Sequence, residues 1–100
     1  MAETDVKIIV QIKDCIEQCG GNYPSWYVGL AEYPEEKLDA HSVNLDKDRY
    51  IYLTATCIED ARSIEHYFVT RMGTDGDTRG SNDEKALSIY AYEKSATTNP

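Results

Sequence analysis

The chain has 100 residues, 41% of them hydrophobic, which suits one small domain with a single core and is too little for a deep cleft between two domains. Eighteen acidic against ten basic residues give a formal net charge of −8, which repels nucleic-acid backbones at long range and weighs against non-specific binding to them. No run approaches the ~20 apolar residues of a membrane span, and Met1 is followed by Ala2-Glu3-Thr4-Asp5 rather than by a basic, apolar leader, so a cytoplasmic protein with no membrane partner is expected.

From Glu3 to Cys19 the residues Ile8, Ile9, Ile12, Cys15, Ile16 and Cys19 recur at helical spacing, and Gly20-Gly21 follows as a left-handed stop. A strand carried by Val6, Ile8, Val10 and Ile12 is the rival reading, but it leaves Ile9, Cys15, Ile16 and Cys19 without a role. The three cysteines, an odd number, are expected as thiols. Cys15 and Cys19 have spacing for a zinc site with His41 or His66, yet their place on the apolar stripe favours core packing.

Ser25 to Leu30 reads as a strand with Trp26, Val28 and Leu30 on one face and Tyr27 and Gly29 on the other. Pro34 fits a first helical turn, Glu35 and Glu36 suit a helix N-terminus, and this helix is expected to reach His41. A polar connection, 44–49, leads to a strand at Tyr50–Ala55, and a second well-patterned amphipathic helix is expected over Glu59–Met72, ended by Gly73.

The tract GTDGDTRGSNDE, 73–84, is rich in glycine and small polar residues and reads as a solvated loop. Arg79 and Ala86 stand where a calcium loop would need oxygen ligands, so an EF-hand is excluded; backbone N–H groups near Arg79 suit an anion at most. Leu87–Tyr92 is the last strand, and the tail 95–100 is expected to fray from a domain spanning 1–94. The expected fold is therefore α/β (α+β): a small three-stranded sheet covered by helices, one of them N-terminal to the first strand. Tyr50 and Tyr52 share a face of their strand, as do Tyr90 and Tyr92 of theirs, and such polar-tipped rings suit both a half-exposed sheet and a binding surface.

Along the helix expected over Glu59–Met72 and the residue before it, the side chains of Ile58, Ala61, Ile64, Phe68, Val69 and Met72 form one stripe, and Glu65 projects within ~30° of its centre at ~100° per residue. A carboxylate there must be paired, protonated, metal-bound or at the mouth of a site, or else must reach solvent or a tyrosine hydroxyl.

Residues 26–41, WYVGLAEYPEEKLDAH, resemble the second half of the GIY-YIG endonuclease signature, in which a strand ending Tyr-x-Gly leads into a helix bearing Arg before a Leu and then a His. Here Tyr27-Val28-Gly29, Lys37-Leu38 and His41 hold that register, and Ala61 with Glu65 resemble the later helix that carries the family's metal-binding Glu. The resemblance covers roughly residues 25–70. It implies a GIY-YIG-like fold with Tyr27, Lys37 and Glu65 gathered around one concave patch. Glu65 would hold Mg or Mn, Tyr27 would help to activate water, and Lys37 would neutralise phosphate charge. Tyr23, His41 and Arg79 would support binding.

The chain departs from the family at Lys37, since lysine lacks the bidentate grip of arginine. It departs also upstream, where a helix stands in place of the first strand and only Gly21-Asn22-Tyr23 imitates its Gly-Ile-Tyr ending. The family's late polar residue has no equivalent beyond Asn82, in the loop. These departures and the acidic charge favour a catalytically degenerate module that binds a protein partner, for instance an inhibitor occupying a basic, nucleic-acid-binding surface, with no cofactor. Glu65 favours the alternative, a divergent metal-dependent endonuclease that hydrolyses DNA phosphodiesters.

Overall fold

The N-terminal helix ends as its glycines require. In the computed structural model, which describes residues 3–44, 48–76 and 85–94, helix α1 (Glu3–Gln18) closes with Gly21 N–H donating to Ile16 O (2.9 Å) and Gly20 N–H to Glu17 O (3.2 Å). Both glycines have positive φ, +111° and +73°, the geometry of a Schellman stop. A 3-10 turn over Tyr23–Ser25 then delivers the chain into β1 (Trp26–Ala31).

The remaining elements follow as α2 (Pro34–Ala40), β2 (Tyr50–Thr54), α3 (Ile58–Tyr67), a π-helical turn over Phe68–Met72, β3 (Asp75–Gly76) and β4 (Ser88–Glu93). The sheet order is β2-β4-β1-β3, with β4 antiparallel to both neighbours and β3 parallel to β1. The α+β class agrees with the expectation, but the sheet has four strands rather than three. The extra strand lies in the expected loop: Asp75 and Gly76 pair with Tyr27 and Val28, and only a residue without a side chain fits at Gly76, where a Cβ would stand 2.6 Å from Val28 O. The expected helix over Glu59–Met72 also changes character: its last turn widens to a π turn closed by Gly73 N–H donating to Phe68 O, and Thr74 N–H reaches the same carbonyl at 3.1 Å. Residues 77–84 and the tail 95–100 lie outside the described residues.

Period-two alternation in β1 sorts the core into two faces. Trp26 and Val28 pack with Ile8, Ile12 and Ile16 of α1, with Ala61, Ile64 and Phe68 of α3, and with Ile89 and Ala91 of β4. Cys15 and Cys19 are half-buried against this cluster, and all three cysteines are free thiols. The opposite face carries a smaller cluster of Ala31, Leu38, Val43, Tyr90 and Tyr92, covered by α2. No described helix is long and apolar enough to cross a membrane.

A single close approach governs the α2 face. Gly29 pairs with Tyr90 across the sheet, and a Cβ at Gly29 would stand 2.5 Å from Tyr90 Oη and 2.6 Å from Cζ, so the tyrosine ring lies across the space that a side chain would fill. Gly29→Ala should therefore cost about 1–3 kcal/mol in denaturant melts, and Tyr90→Ala should cost less in that background than in the wild type, because it removes the clash. Equal costs in both backgrounds would show that the ring moves aside freely. A second test concerns the end of α2, where Val43 N–H bonds to Leu38 O and Ser42 takes a φ of +62°. Ser42→Gly should raise stability by about 1 kcal/mol, since glycine adopts that conformation without the Cβ penalty.

Candidate functional site

The sheet divides the catalytic set that the sequence suggests. Tyr27 points to the α2 face, where its ring lies 4.9 Å from His41 and 5.3 Å from Tyr92. Lys37 and His41 belong to α2 and its C-terminal end on that same side. Glu65, 6% exposed, belongs to α3, which packs on the opposite side, as does Tyr23. The expected single patch of Tyr27, Lys37 and Glu65 therefore does not form. The reason is topological: α2, between β1 and β2, covers one face, and α3, between β2 and β3, covers the other. Glu65 is engaged by another group despite its burial, so it is not an isolated carboxylate in the core. Tyr23 does not fold back towards Tyr27; its hydroxyl is buried with no hydrogen-bond partner among the described residues, and burial followed by the charge of Glu17 raises its pKa. Arg79 and Asn82 lie outside the described residues.

The tyrosines form two cross-strand rows. Tyr27, Tyr92 and Tyr50 lie abreast on β1, β4 and β2, and beside them run Gly29, Tyr90 and Tyr52. His41 Nε2 and Tyr90 Oη share a hydrogen bond of 3.1 Å, which ties the end of α2 to the central strand. Tyr90 and Tyr92 are sealed beneath α2 and are supports of the core. A contact surface that includes these two rings, as their alternation suggested, is thus corrected. The exposed rings are Tyr33, 61% exposed, and Tyr52, 37% exposed.

Those two rings frame an acidic corner. One concavity of about 340 Å³ is lined by Ala31, Glu32, Tyr33, Glu36, Lys37 and Ala40. A second, of about 260 Å³, is lined by Tyr33, Pro34, Glu35, Glu36 and Tyr52. Tyr52 Oη donates to Glu35 Oε1 at 2.6 Å, and this bond, followed by the carboxylate's charge, raises the Tyr52 pKa. The charge of Glu32 and a hydrogen bond to it do the same for Tyr33. Aromatic faces beside carboxylates accept a guanidinium or ammonium group by stacking and charge pairing together. The sequence signal for this corner is Glu32-Tyr33-Pro34-Glu35-Glu36, an aromatic ring held among acids at a helix start. Read only as helix-initiating residues, Glu35 and Glu36 conceal it. Among the described residues, no three His, Cys, Asp or Glu side chains stand close enough to share a metal ion.

The buried Tyr92 gives a direct test of the inner face. Its hydroxyl has no partner among the described residues, and burial, then Tyr27 and Asp75, push its pKa above the ordinary 10.0. The folded state thus holds this proton more tightly than the unfolded chain, so the contribution is intact below pH 10.0 and is lost as pH rises above it. Tyr92→Phe should leave stability at neutral pH unchanged or raise it by up to about 1–2 kcal/mol, and should make the alkaline loss shallower in melts recorded across that range. A clear loss at neutral pH would reveal a hydroxyl that does bond. Compared with protein-family models, with curated proteins and with solved structures, the chain finds no match.

Proposed function

We propose that the chain is a binding module that recognises a basic protein surface through the acidic, aromatic corner where α2 begins beside β2. The observation that carries this reading is the pair of adjoining concavities sharing Tyr33 and Glu36, with Glu32, Glu35 and the exposed Tyr52 around them. Aromatic anchors in a polar rim are the side chains that dominate protein recognition, and the net charge of −8 steers a basic partner towards them. Such a module needs no cofactor, and it acts as an inhibitor wherever the basic surface it covers is one that binds nucleic acid. The likeness to GIY-YIG endonucleases enters this proposal as a degenerate relationship. Metal-dependent phosphodiester hydrolysis requires the metal ligand and the group that activates water to converge on one phosphate. The separation of Tyr27 and Glu65 across the sheet speaks against it.

Titration with a peptide of alternating Arg and Val should give saturable binding that weakens as salt rises. Tyr33→Ala should lower the affinity about tenfold, equivalent to ~1.4 kcal/mol, without changing the melting temperature. Equal affinity for a peptide of alternating Glu and Val, or no binding to the basic one, would refute the proposal. The enzymatic alternative is checked through Glu65→Gln, which should shift stability by no more than about 1–2 kcal/mol and leave peptide affinity intact. Melts with Mg²⁺ or Mn²⁺ should match those without, and single-stranded, duplex and branched DNA should stay uncut. A metal-dependent shift that Glu65→Gln abolishes, together with DNA cleavage, would reverse the choice.

A further inference from the structure

Among the described residues, the pairing of β2 leaves one backbone edge open. Glu93 N–H donates to Arg49 O and Ala55 N–H donates to Leu87 O, so the odd-numbered residues from 49 to 55 turn their N–H and C=O groups towards β4. The backbone groups of Tyr50, Tyr52 and Thr54 therefore point away from the sheet. Among the described residues no strand lies on that side and no hydrogen bond reaches those groups. The other edge strand, β3, has only two residues and offers no comparable run. An open edge of aromatic and β-branched residues, without an internal proline or lysine, is a template for another strand.

We infer that β2 recruits an extended basic segment of the partner as a fifth strand, with its cationic side chains entering the Tyr33–Tyr52 concavity. This rests on the binding reading above and specifies how the partner is held. A strand added beside β2 lies ~4.8 Å away and presents alternate side chains to the α2 face. There they meet Tyr52, Glu35 and Glu36, while the intervening side chains run beside the half-buried Ile51 and Leu53. Charge selects the occupant. A second copy paired through β2 would bring two chains of net charge −8 together, with the carboxylates at both α2 starts along one sheet face, whereas an Arg- or Lys-bearing strand pairs with them.

Amide hydrogen exchange on the intact chain, with the alternating Arg-Val peptide as probe, reads this directly. In the free protein the amides of Tyr50, Tyr52 and Thr54 should exchange fast while those of Ile51 and Leu53 are protected. Saturating peptide should slow the three outward amides by about tenfold or more. The same peptide N-methylated along its length keeps its charge but loses its backbone donors, and should bind about tenfold more weakly. If both peptides bind equally and the outward amides still exchange fast, the edge inference falls while the binding reading stands. If neither binds, both fall. Protection of the outward amides without peptide, rising with protein concentration, would instead assign the edge to a second copy and overturn the inference.

Discussion

The ring of Tyr90 laid over Gly29 is the contact on which the α2 side of the protein depends. Because Gly29 has no side chain, the ring can lie flat against β1, and its hydroxyl then reaches His41 at the end of α2. That bond and the packing of Leu38 and Val43 fix α2 against the sheet. With α2 fixed, Glu35 stands within hydrogen-bond reach of Tyr52, and the acidic corner closes around Tyr33. The Tyr-x-Gly stretch thus has a packing explanation that does not depend on catalysis: its glycine receives a tyrosine from the neighbouring strand.

Strand order extends the same dependence. The last strand in the chain, β4, stands between β1 and β2, and each of these pairs with it rather than with the other. The α2 face is completed only when the C-terminal part of the described chain enters the middle of the sheet, so most of its contacts are long in sequence. This placement also makes β2 an edge among the described strands. Had β2 paired with β1 on one side and β4 on the other, its outward backbone groups would have been consumed inside the sheet.

Local patterns in the sequence reveal much of this fold. Ile8, Ile12 and Ile16 mark the buried side of α1, Gly20-Gly21 marks its stop, and the alternation of Trp26, Tyr27 and Val28 separates the two faces of β1. The brief strand β3 is not legible, because two residues carry no periodicity and the pairing rests on the close backbone approach that Gly76 permits. Nor is the separation of Tyr27 from Glu65. Period two identifies which residues of β1 share a face, and period 3.6 identifies which residues of α3 share a stripe, but neither pattern says which helix packs on which face. That relation comes from the path of the chain through the sheet. A functional set assembled from motif order alone is most exposed to error at this step.

The acidic corner combines helix initiation with surface chemistry, and this shapes how its residues respond to change. Glu35 and Glu36 lie in the first turn of α2, where negative charge is favourable by about 0.3–1 kcal/mol, and Pro34 sets the entry angle. Reversing either charge alters the proposed binding corner and weakens the helix start that positions Tyr33 and holds Leu38 over the inner tyrosines. Loss of affinity in such a variant mixes the two effects. Tyr33 differs, because its ring is largely exposed and α2 begins at Pro34 without a side-chain hydrogen bond from it. The same reasoning separates Tyr52 from its neighbours: its ring bonds Glu35 and stacks on Tyr50 at 6.3 Å, while its backbone faces outward. Substitution of that side chain therefore perturbs the corner, whereas the edge beside it is best probed through the backbone of the added peptide.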